Sequence, residues 1–159
     1  MSMHNLHREQ FLPAAREQVW DYFCDPRNLN EMTPPDMNFF IITDPLERMA
    51  AGQLIEYRVE FIRGWKSLWL TEIAHVRERE YFVDEQRIGP YEFWYHEHKF
   101  EQVDGGTRMI DNVTYSIGFG PLGGLMNAVW ISHRLKSIFD FRAQKIQEIF
   151  PGLSERSAA

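Results

Sequence analysis

One stretch constrains this chain more than any other: Pro121 to Phe150, the only segment long and periodic enough for a substantial helix. Leu122, Leu125, Met126, Val129, Ile131, Leu135, Ile138, Phe139, Ile146 and Ile149 recur in steps of three and four. Such steps draw one broad apolar stripe. Gly118, Gly120 and Pro121 mark the start and Pro151-Gly152 the stop. At about 1.5 Å per residue the helix would run roughly 40 Å. Nearly everything before it reads as strand. A long amphipathic helix after a run of strands buries its stripe on their sheet.

The strands follow one another through short turns. Asn5 to Leu12 reads as a first strand, ended by Pro13. Ala14 to Phe23 reads as a helix with Val19, Trp20 and Phe23 on one side. Asp25-Pro26 starts a second, short helix, because Asp caps well and Pro suits a first turn. Thr33-Pro34-Pro35 stops it. Strands are then expected at Met37–Thr43, Gln53–Ile62, Lys66–Val76, Tyr81–Ile88, Tyr91–Val103 and Thr107–Ile117. In the second of these Ile55, Tyr57, Val59 and Phe61 alternate with Glu56, Arg58 and Glu60, giving one buried and one wet face. In the third, Trp69 and Ile73 compete with Leu68, Leu70 and Val76, and the period chooses no face. Short connections make neighbours antiparallel. The expectation is an α+β fold: a strongly curved seven-stranded antiparallel sheet around a long C-terminal helix, with two short helices after the first strand. A curved sheet does not close fully on a single helix, so a cavity follows. One domain, residues 1–153, and a frayed tail, 154–159, complete the plan.

Composition excludes several classes. Among 159 residues the net charge is −6, with no Lys/Arg cluster, which argues against nucleic acid and anionic membranes. Cys24 is the single cysteine, so no intrachain disulfide forms. No apolar run reaches about 18 residues, so no stable membrane insertion is expected. The first residues lack a signal-peptide pattern, so the expected location is the cytoplasm. Aromatics at 14% favour a large-residue core or an aromatic-lined pocket.

Certain residues carry a resemblance. They are Trp20-Asp21-Tyr22-Phe23, Asn28-Leu29, Thr33-Pro34-Pro35 and Gly52-Gln53-Leu54-Ile55-Glu56-Tyr57. Further along stand Phe82-Val83-Asp84-Glu85-Gln86, Gly89-Pro90-Tyr91, Trp94, His96-Glu97-His98 and Phe139-Asp140-Phe141-Arg142. Over essentially its whole length the chain resembles the START-like, or SRPBCC, superfamily with its helix-grip fold, in a bacterial ligand-binding branch also called polyketide cyclase/dehydrase-like. Similar domains occur alone and fused to short-chain epimerase-like proteins. The resemblance implies a deep apolar cavity for lipids, polyketides or aromatics. It fixes no chemistry, since the fold hosts carriers, enzymes and chaperone cofactors.

The densest polar patch spans three consecutive strands. Trp94, His96, His98 and Phe100 share one face; Phe82, Asp84 and Gln86 share a face of the strand before; Met109, Asp111, Val113 and Tyr115 share a face of the strand after. A two-residue Gly105-Gly106 turn would set His96 opposite Tyr115 and His98 opposite Val113. A three-residue turn near Pro90 would set Asp84 opposite His96, and a two-residue turn would send Asp84 to the other face. If the faces coincide, Asp84, Gln86, His96, His98, Asp111 and Tyr115 point inward beside Tyr57 and Trp94. Met126 and Trp130 of the long helix are expected at the cavity or its mouth.

Four readings of this patch stay open at this level. It is an internal hydrogen-bond network, or a polar end that orients a ligand. It is an acid–base pair, with His96 as proton carrier and Asp84 setting its tautomer. Least supported is a metal site, because two histidines without Cys or a third spaced ligand are a weak signal. The first function expected is binding of a small hydrophobic or aromatic ligand, without cofactor or metal. The alternative is a metal-free cyclase or dehydratase on the same residues, and a protein-binding module is a third reading.

Overall fold

The computed structural model describes residues 2–44, 48–62, 64–118 and 130–151. The elements run β1 (His4–Leu12), α1 (Arg16–Phe23), 3-10 turns at Pro26–Asn30 and Pro35–Met37, then β2 (Phe40–Ile41), β3 (Leu54–Ile62) and β4 (Trp65–Arg77). They finish with β5 (Tyr81–Ile88), β6 (Phe93–Val103), β7 (Gly106–Ser116) and α2 (Ser132–Ile149). One seven-stranded sheet has the order β1-β7-β6-β5-β4-β3-β2, antiparallel throughout. The expected curved sheet with one long C-terminal helix is therefore present. The expected helix start at Pro121, Met126 and the tail from Ser154 lie outside the described residues.

Three local expectations change. The second helix is a 3-10 turn, capped by the Asp25 carboxylate, which accepts from the Arg27 backbone N at 3.0 Å. The Met37–Thr43 strand shrinks to Phe40–Ile41, because Met37 closes a 3-10 turn and Asn38 follows with φ +42. Glu60, expected on the wet face, is buried. A register irregularity between Val59 and Ile62 turns it inward, where it accepts from Asn38 Nδ2 at 3.1 Å and the Gly64 N at 3.3 Å. Burial without such donors would cost several kcal/mol.

β4 shows why its period was ambiguous. Trp69, Thr71 and Ile73 face inward, while Leu68 is exposed. A bulge between Ile73 and His75 then shifts the parity, so that Val76 packs against the core. One strand thus carries two inward sets, offset by an odd number.

The core has two parts along the helix. Ile131, Leu135, Ile138 and Phe139 meet Val59, Trp69, Tyr91, Trp94 and Tyr115. Ile146 meets Leu12, Trp20, Phe23, Met32, Phe82, Phe100 and Met109. Spacings of three and four place these helix residues on one stripe.

Strands β1 and β7 approach closely at Gly106. A Cβ there would stand 2.2 Å from the Leu12 carbonyl oxygen. Backbone cannot swing aside as a side chain does. Gly106→Ala is expected to cost about 1–3 kcal/mol in urea unfolding. A loss below about 0.5 kcal/mol would show that the two strands part without strain.

Candidate functional site

Strand register builds the site. The β5–β6 ladder sets Asp84 opposite His96 and Phe82 opposite His98, the parity expected of an odd-numbered connection, and its last pair is Glu85 with Tyr95. Gln86 shapes that connection. Its Nε2 donates to the Tyr91 carbonyl at 2.7 Å and its Oε1 accepts from the Tyr91 N at 3.2 Å. The β6–β7 turn differs from expectation. Val103 pairs with Gly106, so Asp104-Gly105 is the two-residue turn, with Gly105 at φ +80. The ladder shifts by two residues, setting His98 opposite Asp111 and His96 opposite Val113. A shift of two preserves the faces.

Four buried or nearly buried groups then meet. His98 Nε2 donates to Asp84 Oδ2 at 2.8 Å, and His96 Nε2 donates to Asp111 Oδ1 at 2.9 Å. His96 Nδ1 stands 3.3 Å from Asp84 Oδ2. His98 Nδ1 stands 2.9 Å from Asp111 Oδ1 but out of line for a hydrogen bond. The rings are 3.7 Å apart between centroids. Trp94 Nε1 donates to the other Asp84 oxygen at 3.1 Å. Phe82 stacks on His98 at 4.2 Å, and Phe139 stands 5.5 Å from His96.

The charges hold one another. Burial pushes the Asp84 carboxyl up, but His96 and His98 outweigh it and hold the group well below the usual carboxylate range. The same opposition holds Asp111 far below that range. Burial presses the His96 imidazole down, while the charge on Asp84 and the hydrogen bond to Asp111 press it up and prevail. Nearby opposite charge thus beats desolvation at Asp84, His96 and Asp111.

In front of this group lies a cavity of about 130 Å³. Asp84, His96 and His98 form part of its wall. The apolar wall includes Met32, Val59, Trp69, Trp94, Leu135 and Ile138. Tyr57 and Thr71 also line it, hydrogen-bonded to each other through their hydroxyls. Two buried donors among the lining residues, Trp69 Nε1 and Arg142 Nε, have no partner among the described residues. Behind the group, Asp111 borders a second cleft of about 180 Å³, with Arg8, Glu9, Asp140 and Arg142.

Of the residues named from sequence, Tyr57, Asp84, Trp94, His96 and His98 line the cavity. Asp111 reaches it only through the two histidines. Gln86 holds a loop. Tyr115 is packed in the core against Tyr91 and Trp94. Trp130 is 38% exposed and lies away from the described cavity wall. Trp69, Thr71 and Arg142 were not foreseen. Arg142 stands in the Phe139–Arg142 run, one helical turn beyond the cavity residue Ile138, and that spacing was the available signal. Burial pushes the Cys24 thiol up to about 12, which fits a packing residue rather than a nucleophile. No described helix is long and apolar enough to cross a membrane.

No protein-family model and no curated protein matches the chain. Solved structures do. The Zhui aromatase/cyclase from Streptomyces sp. R1128 aligns over 96% of this chain and 100% of its own, at 13% identity and TM-score 0.65. Ara h 8.0201 aligns over 92% and 99%, at 18% identity and TM-score 0.64. A nucleoside-diphosphate sugar epimerase from Corynebacterium glutamicum aligns over 90% of this chain but 28% of its own, at 25% identity and TM-score 0.60. Sheet order, the position of the long helix and these alignments agree: the chain has the helix-grip fold that these structures share.

Proposed function

We propose that the protein binds a compact aromatic or apolar molecule bearing an oxygen acceptor, in the cavity between sheet and helix. The observation that carries this reading is an apolar cavity whose lining includes two buried donors, Trp69 Nε1 and Arg142 Nε, that have no partner among the described residues. Buried donors in folded proteins are nearly always satisfied. A ligand oxygen would satisfy either. Size narrows the class. A cavity of about 150 Å³ admits benzene, so one ring fills most of this one and a second ring would extend toward its open side. The Ara h 8.0201 and aromatase/cyclase structures share the architecture, which supports a cavity-based role without naming a ligand.

The test uses the tryptophans in the wall. 2-Naphthol is expected to quench Trp69 and Trp94 saturably, with one site by calorimetry. Trp69→Phe should weaken 2-naphthol about fivefold, the worth of one hydrogen bond, and leave naphthalene unchanged. Absence of saturable binding by both probes would end the proposal.

A second reading is acid–base catalysis of enolisation, cyclisation or dehydration of a polyketone. It is favoured by two cavity-facing imidazoles, each hydrogen-bonded to its own carboxylate. The pairs are His98 with Asp84 and His96 with Asp111. Unchanged turnover of such substrates in His96→Ala would exclude His96 from that role.

A further inference from the structure

We propose that Asp84, His96 and His98 bind one divalent first-row transition ion, such as zinc or iron(II), on the cavity wall. This goes beyond the organic-ligand reading and does not depend on it.

Three observations converge. First, the three residues each offer a ligand atom, all within 4.8 Å of one another. Asp84 Oδ2 lies 2.8 Å from His98 Nε2 and 3.3 Å from His96 Nδ1. Atoms bound at about 2.0–2.1 Å around a tetrahedral ion are about 3.3 Å apart, and octahedral neighbours are closer still. Small movements therefore convert the contacts into ligation. Second, every ligand is held from behind. Trp94 Nε1 fixes Asp84 Oδ1, leaving Oδ2 for the ion. Asp111 Oδ1 sits 2.9 Å from His96 Nε2 and 2.9 Å from His98 Nδ1, the nitrogens turned away from Asp84. One carboxylate thus orients the His96 imidazole and stands beside that of His98. An acceptor on the far ring nitrogen is the usual support of a metal-bound histidine. It also gives His98 Nδ1, buried without an aligned partner among the described residues, a reason to face a carboxylate. Third, the two imidazole rings lie 3.7 Å apart between centroids and tilted by 37° on the same cavity wall, so both can present a nitrogen to one ion.

All three ligands border the cavity, so the remaining coordination positions open toward it. Two nitrogens and one carboxylate oxygen with open positions are the donor set of a reactive rather than a structural centre. Water or an oxygen of the cavity ligand would complete it.

The experiment uses the full chain, tag removed and dialysed against chelator, with cobalt(II) alone as probe. Expected are visible d–d bands that saturate at one equivalent, zinc(II) displacing them, and a rise in Tm with either ion. Asp84→Asn and His98→Gln should each abolish the bands. Asp111→Asn should weaken cobalt(II) about 10–100-fold while keeping one site. Near-UV circular dichroism before addition of metal separates lost binding from lost folding. No bands and no Tm shift in the wild type would overturn the site. So would equal uptake in a folded Asp84→Asn, because the ion would then sit elsewhere. Naphthol binding by metal-free protein is scored independently.

Discussion

Asp111→Ala is expected to cost about 3–5 kcal/mol of folding stability at neutral pH, the usual result of removing one partner from a buried charged group. Asp111 accepts from His96 and lies beside His98, and all three are buried. Alanine leaves two neighbouring imidazoles facing an empty acceptor position. Asp111→Asn keeps one acceptor oxygen and should recover part of the loss. Urea unfolding of chelator-treated protein measures both. The pH dependence follows from the directions of the shifts. The Asp111 carboxyl lies below its ordinary value, so its contribution is complete above about pH 4 and fades as pH falls toward the lower folded value. His96 lies above its ordinary value, so its contribution is complete below about pH 6.5 and fades as pH rises through the folded value. The gap between wild type and D111A should be widest between these limits. A difference under about 1 kcal/mol at pH 6 would show that the four groups do not hold the sheet together.

Ile138→Trp should abolish naphthol binding while sparing the fold. Ile138 is buried on α2 and lines the cavity, and no hydrogen bond depends on its side chain. An indole there takes the space that a ligand ring would occupy. Filling a void offsets some of the 1–3 kcal/mol that overpacking typically costs (an approximate range). The expected readout is at least about a tenfold loss of affinity, equal to about 1.4 kcal/mol, with native circular dichroism retained. Undiminished binding would place the ligand outside the cavity.

Much of the fold was legible because its signals are local. Alternation in β3, Pro26 after Asp25, and steps of three and four in α2 each report their own geometry. What escaped lay in odd-numbered irregularities. The bulge past Ile73 let Val76 join the core, and the one beyond Val59 brought Glu60 inside. The site divided in the same way. His96, His98 and Asp84 could be placed on shared faces by parity. Which histidine takes which carboxylate depended on whether the turn was Asp104-Gly105 or Gly105-Gly106, a choice that parity cannot make. Tyr115 and Gln86 had the right parity, yet one became core and the other a loop clasp. Arg142 came from a helix whose rotation against the sheet no strand pattern encodes.

All four members of the His–Asp group come from β5, β6 and β7, one uninterrupted meander between Tyr81 and Ser116. Most of the remaining cavity wall comes from outside that meander, from α1, the 3-10 turns, β3, β4 and α2, with Phe82, Tyr91 and Trp94 of the meander adding to it. Reactive equipment and most of the guest room are therefore written in separate passages of the chain. Selection can enlarge, shrink or reshape the room by editing the latter, and the chemistry travels unaltered.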